Sequence, residues 1–154
     1  LGEMYAVREA LESYAASEAA RQIGPTELAQ VRGSLAQMSR IVEGFRSSGD
    51  RVLQGAPLQE FIQADLAFHK VVIAAAGNRY MSKILDDTRL LVRVFTATFW
   101  RYDLDKLEEA LRFHQQLLTS LENRDAEAAR LASAQAMRVA RDNAIRAWGQ
   151  QHED

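Results

Sequence analysis

Residues 64–78 read ADLAFHKVVIAAAGN, and the fold follows from how this stretch is patterned. Phe61, Ile62, Val72, Ile73 and Ala76 recur at the three- and four-residue spacing of an amphipathic helix, which predicts a helix from about Pro57 to Ala76 with one apolar face. Asp65 and His69 fall inside that face, one turn apart and one above the other. Burying two ionisable groups is unfavourable unless something pairs with them, so the stretch that announces a helix also marks a candidate site. Gly77 and Asn78 then suit a helix stop followed by the cap of a new helix.

The same period continues in both directions. A first helix is expected from about Met4 to Gln22, with Leu11, Tyr14 and Ala15 inward, broken by Gly24 and Pro25. A second begins near Thr26 as its cap and carries Leu28, Val31, Leu35, Met38 and Val42 until Ser47-Ser48-Gly49-Asp50 ends it. A fourth runs to about Trp100. Asp103 caps a fifth, whose stripe of Leu107, Leu111, Leu118 and Leu121 contains His114. Asp125 caps a sixth, where Ala129, Ala132, Ala136, Val139 and Ala140 form a small-residue face suited to close packing. No segment alternates with the period of two that a strand requires, so the expectation is all-α, a single domain over residues 1–154.

Composition narrows the function. The net charge is −2, with acids and bases interleaved, so the chain lacks the basic face of a nucleic-acid-binding domain. No apolar run approaches a membrane span, and no stretch reads as an export signal. The absence of cysteine excludes disulfides and thiolate ligands and suits a cytoplasmic protein. Sixteen of the nineteen basic residues are arginine, the side chain best shaped to grip carboxylates with two parallel bonds.

Three ionisable side chains share inward positions: Asp65, His69 and His114. A carboxylate and two imidazoles are a common ligand set for a divalent metal, and they are equally a set that can satisfy itself by hydrogen bonding in a core. There is no HExxH, no Glu-x-x-His pair of a di-iron bundle, no Gly-rich phosphate loop and no nucleophile elbow.

At this point the residues carry a resemblance. YAVREALESYAASEAAR (residues 5–21) resembles the opening helix of the effector-binding FCD domain of FadR-type GntR transcriptional regulators. DLAFHKVVIAAAGN (65–78) resembles its D-x-x-x-H segment followed by small residues and Gly-Asn. FHQQLLTSLENRDAEAAR (113–130) resembles its later segment, where a histidine precedes the aspartate of a turn by eleven residues.

The resemblance implies an antiparallel all-α bundle of six or seven helices, usually a homodimer, that binds a small organic acid and is not an enzyme. A DNA-binding winged helix-turn-helix is expected upstream and absent from this chain. In many members an aspartate and three histidines hold a divalent metal such as zinc, nickel or manganese, which helps hold the effector. By position, Asp65, His69 and His114 match three of these ligands, and the fourth position is Ala136, which has no donor atom. His152 lies too far along the chain to substitute. Arg21 and Trp100 match places where sugar-acid-binding relatives contact the effector, with Asn143 a further pocket candidate, whereas Asn78 reads as a helix cap. Two rival readings remain open: a helical metal-dependent enzyme using Asp65, His69 and His114 with Glu18 as its base, and a pure dimerisation bundle.

Overall fold

The structure, a computed structural model, describes residues 1–152, and they form six helices: α1 (Gly2–Gln22), α2 (Pro25–Ser48), α3 (Gly55–Ala75), α4 (Arg79–Thr96), α5 (Leu104–Glu122) and α6 (Ala126–His152). The connections are short because the chain supplies a stop or a start at each one. Gly77, at φ +74°, takes the left-handed conformation that follows α3, and the Asn78 side chain then accepts from Met81 N–H at 2.9 Å to open α4. Asp103 does the same for α5, accepting from Lys106 N–H at 2.9 Å, and Asp125 for α6, accepting from Ala128 N–H at 3.0 Å. The start of α2 differs from expectation. Gly24, not Thr26, is the cap, because Pro25 suits the first helical position and Glu27 reaches back to accept from Gly24 N–H at 3.1 Å.

Helices α1 and α6 lie against each other, α2 packs on both α3 and α5, and α5 closes onto α6. The α1 and α6 faces are rich in alanine: Ala15, Ala16, Ala19 and Ala20 are buried on one, Ala129, Ala132 and Ala144 on the other. Small side chains let two helix axes approach closely. Larger side chains fill the space between α2, α3 and α5, where Phe68, Met38, Val31, Val42, Leu107 and Leu121 are almost fully buried. The expected inward position of Tyr14 is a correction: it is 51% exposed. The buried stripe of α1 follows Tyr5, Glu12, Ala16 and Ala19, and a residue two places from Glu12 and from Ala16 points about 200° away from them. Helix α4 ends at Thr96, so Trp100 follows the helix rather than closing it.

Candidate functional site

Asp65 and His69 project from successive turns of α3, and His114 reaches them from α5. Asp65 Oδ1 lies 2.7 Å from His114 Nε2 and 3.2 Å from His69 Nε2, and the two imidazole nitrogens are 3.1 Å apart. Phe68, wholly buried, meets both imidazoles edge-on, with ring centroids 5.3 Å from His69 and 4.7 Å from His114, and so fixes their planes.

The hydrogen-bond pattern around His114 says what this cluster lacks. Its Nδ1–H donates to the Ala110 carbonyl at 2.5 Å, so a ring carrying only that proton has its lone pair on Nε2. That lone pair faces a carboxylate oxygen and a second imidazole nitrogen. Three electron-rich atoms thus converge on one point, where one proton can serve a single contact and a divalent cation can serve all three. Donors around a tetrahedral zinc are about 3.3 Å apart for bonds of about 2.0–2.1 Å, close to the two edges at His69, so the triangle opens mainly along the shorter Asp65–His114 edge, by about half an ångström. Burial and the charge of Arg89 lower the His69 pKa to about 4 against the pull of Asp65, so the ring is neutral and able to coordinate at pH 7. Burial opposes ionisation of Asp65, yet His69 and His114 outweigh it and hold the carboxyl well below its usual range. The donor set fits a divalent ion.

The cluster opens into a cavity of about 240 Å³ between the helices. Trp100, Asn143 and Ala136 line it together with Asp65, His69 and His114, so five of the six residues singled out as ligand contacts, and the position of the missing donor, share one space. Arg21 does not reach it. Its side chain, 59% exposed at the end of α1, pairs with Glu18 at 2.5 Å. Neither residue lines the cavity, so the arginine that α1 turns inward is Arg8. Asn143 donates to Glu109 Oε1 at 3.0 Å and accepts from Arg146 at 2.7 Å. His152 stacks on Trp148, with ring centroids 3.9 Å apart, and does not line the cavity.

Reading the sequence missed a second set of charges. Glu12 of α1 is 5% exposed and is held by Arg8, whose Nε and Nη2 donate to Oε1 at 3.0 and 2.9 Å, and by Arg89 of α4, whose Nη2 lies 3.3 Å from each carboxylate oxygen. Burial alone would raise the Glu12 pKa, but the Arg89 and Arg8 charges bring it to about 2. Toward Trp100, Tyr102 stays a neutral donor because burial, aided by the Asp65 charge, pushes its pKa up to about 12. Lys106 Nζ sits 5.4 Å over the Trp100 ring and 3.0 Å from Asp103. A signal for the missed set existed. Glu12 lies seven residues after Tyr5 and seven before Ala19, and Arg89 lies between Leu85 and Val92, both on buried stripes.

The assembled chamber, apolar and aromatic on its walls with charged groups turned inward, has the make-up of a small-molecule pocket. No curated protein matches the chain. Among solved structures it superposes on Streptococcus agalactiae GntR with a TM-score of 0.72 at 16% identity, covering 92% of this chain and 58% of that one. It superposes on E. coli McbR/YncC with a TM-score of 0.71 at 20% identity, covering 96% and 67% respectively. These likenesses establish the shared helical fold. The profile of the FCD domain matches residues 3–139, nearly the whole length, and the chain belongs to that family.

Proposed function

We propose that this chain is the ligand-sensing domain of a GntR-type transcriptional regulator of the FadR kind, binding a small organic acid in the cavity between its helices. The observation that carries the reading is the convergence of Asp65, His69 and His114 on one cavity that also holds inward arginines. Those three side chains hold a divalent ion (zinc, nickel or manganese), which supplies a Lewis-acidic point of attraction for the acid's carboxylate. With Ala136 in place of a fourth donor, the ion depends more on the effector for its ligands. Trp100 offers a ring against the carbon skeleton and Asn143 an amide at the wall.

DNA contact belongs to an upstream winged helix-turn-helix in the whole protein, which places the protein in the cytoplasm. The chain spans 58% of the length of S. agalactiae GntR, which leaves room for such a domain. A homodimer is supported by α4, where Leu90, Leu91, Val94 and Phe95 stand exposed at three- and four-residue spacing. No helix among the described residues is long and apolar enough to cross a membrane. The rival enzyme reading loses its base, since Glu18 pairs with Arg21 away from the cavity.

Thermal unfolding with a panel of short carboxylic acids, with and without zinc ion, tests the proposal. An acid present at about a hundred times its Kd stabilises the fold by about 2.7 kcal/mol. The expected result is such a rise with the acid recovered unchanged. Consumption of the acid, or no rise with any member of the panel, overturns it.

A further inference from the structure

The charges around the cavity do not balance once its ligand set is filled. Arg8 pairs with Glu12 at 2.9 Å and Lys106 with Asp103 at 3.0 Å, which leaves Arg89 and Arg93 against Asp65 and Glu109. These four cancel. A divalent ion on Asp65, His69 and His114 therefore leaves the chamber with a surplus of two positive charges.

Arg89 shows where part of that surplus is available. Its Nη2 contacts to Glu12, at 3.3 Å, are longer than the roughly 2.7–2.9 Å of a strong charge-assisted bond, and Glu12 is already served twice by Arg8. The Nε of Arg89 is buried with no acceptor although the residue is only 8% exposed, an unfavourable state for a guanidinium donor. One turn further along α4, Arg93 stands exposed at the cavity's edge, and its side chain makes no hydrogen bond among the described residues. The volume, about 240 Å³, is the liquid volume of about eight waters, enough for a ligand of roughly eight to ten non-hydrogen atoms.

We infer that the ligand is a dianion of the dicarboxylate class, about four to six carbons long, with one carboxylate directed to the divalent ion that Asp65, His69 and His114 would hold and the second bound by Arg89. The Arg89 fork turns from Glu12 to the ligand, giving its orphaned Nε an acceptor and leaving Glu12 to Arg8. Arg93 closes over the outer oxygen. This rests on the reading of the cavity as an acid-binding site and adds the number of charges and the residue that counts them.

Calorimetry on the 154-residue chain, with and without zinc ion, compares succinate, glutarate and adipate with butyrate, valerate and hexanoate of matched length. At least one dicarboxylate should bind tenfold or more tightly than its matched monocarboxylate. Arg89→Gln should erase that ratio by weakening the dicarboxylate more than its matched monocarboxylate, and Arg89→Lys should restore part of it by keeping the charge without the fork. Equal binding of both series to the native chain overturns the dianion and leaves the acid-binding reading standing, a result that needs no variant to fold. Equal losses for both series in Arg89→Gln also overturn it, since Arg89 then holds the only carboxylate. Failure of every acid to bind removes the underlying reading itself.

Discussion

Replacing Glu12 by glutamine removes the one negative charge that α1 places between Arg8 and Arg89 while keeping the shape of the side chain. The folded-state pKa of about 2, against an ordinary value of 4.5, is a difference of about 2.5 units, and each unit corresponds to about 1.4 kcal/mol. The ionised carboxylate therefore contributes about 3 kcal/mol at pH 7, within the range lost when one member of a buried ion pair is deleted. Because the folded pKa is depressed, this stability is fully present well above pH 4.5 and drains away as the pH falls toward 2. Between pH 7 and pH 3.5 the native chain should lose about 1 kcal/mol more than Glu12→Gln, which has no proton to take up at this position. Urea unfolding followed by circular dichroism at the two pH values gives both numbers, and the difference between proteins subtracts the titration of groups they share. A variant within 1 kcal/mol of native at pH 7, or one whose stability falls with acid in parallel with native, would refute the account of Glu12 as the counter-charge of the two arginines.

Two further outcomes follow from the same geometry. Phe68→Ala empties the fully buried site against the two imidazoles, so urea unfolding should show a loss of about 3–5 kcal/mol, and the same cavity should loosen zinc binding by freeing both rings. Ala136→His places a fourth donor on the wall shared with Asp65, His69 and His114 and should raise zinc affinity roughly tenfold or more near neutral pH, with His69→Ala acting the other way; calorimetry that finds both variants unchanged from native would separate Ala136 from the ion.

The helices were legible because each carries its own punctuation. Asn78, Asp103 and Asp125 each accept the backbone bond expected of them, and Gly77 takes the positive φ that only glycine adopts cheaply. The start of α2 was misplaced because two capping signals overlap there, and the Pro25–Glu27 pair outcompetes Thr26. Tyr14 departs from expectation because it lies two places from Glu12 and from Ala16 and so points away from the buried stripe of α1. The six-helix order could be read residue by residue, whereas the end of α4 could not: nothing at Thr96 stops a helix by itself, and the chain turns where Phe99 and Trp100 find cover against neighbouring helices.

The site was half legible for a reason that extends beyond this chain. Asp65, His69 and His114 stood out because ionisable groups on an apolar stripe need an explanation, and the structure gives them one another. Glu12 and Arg89 satisfy the same criterion, yet on α1 the stripe is built of alanines, whose weak hydrophobic contrast hides a buried glutamate among exposed ones. Arg21 matches a family pattern by position along the chain but not by the helix face it occupies. It lies two residues beyond Ala19, which sets it about 200° from the buried stripe, whereas Arg8 stands one turn before Glu12 and turns inward with it. Helical phase thus ranks candidate residues more sharply than positional correspondence, because a residue can drift along a helix by a turn and still face the cavity but cannot face it from the opposite side.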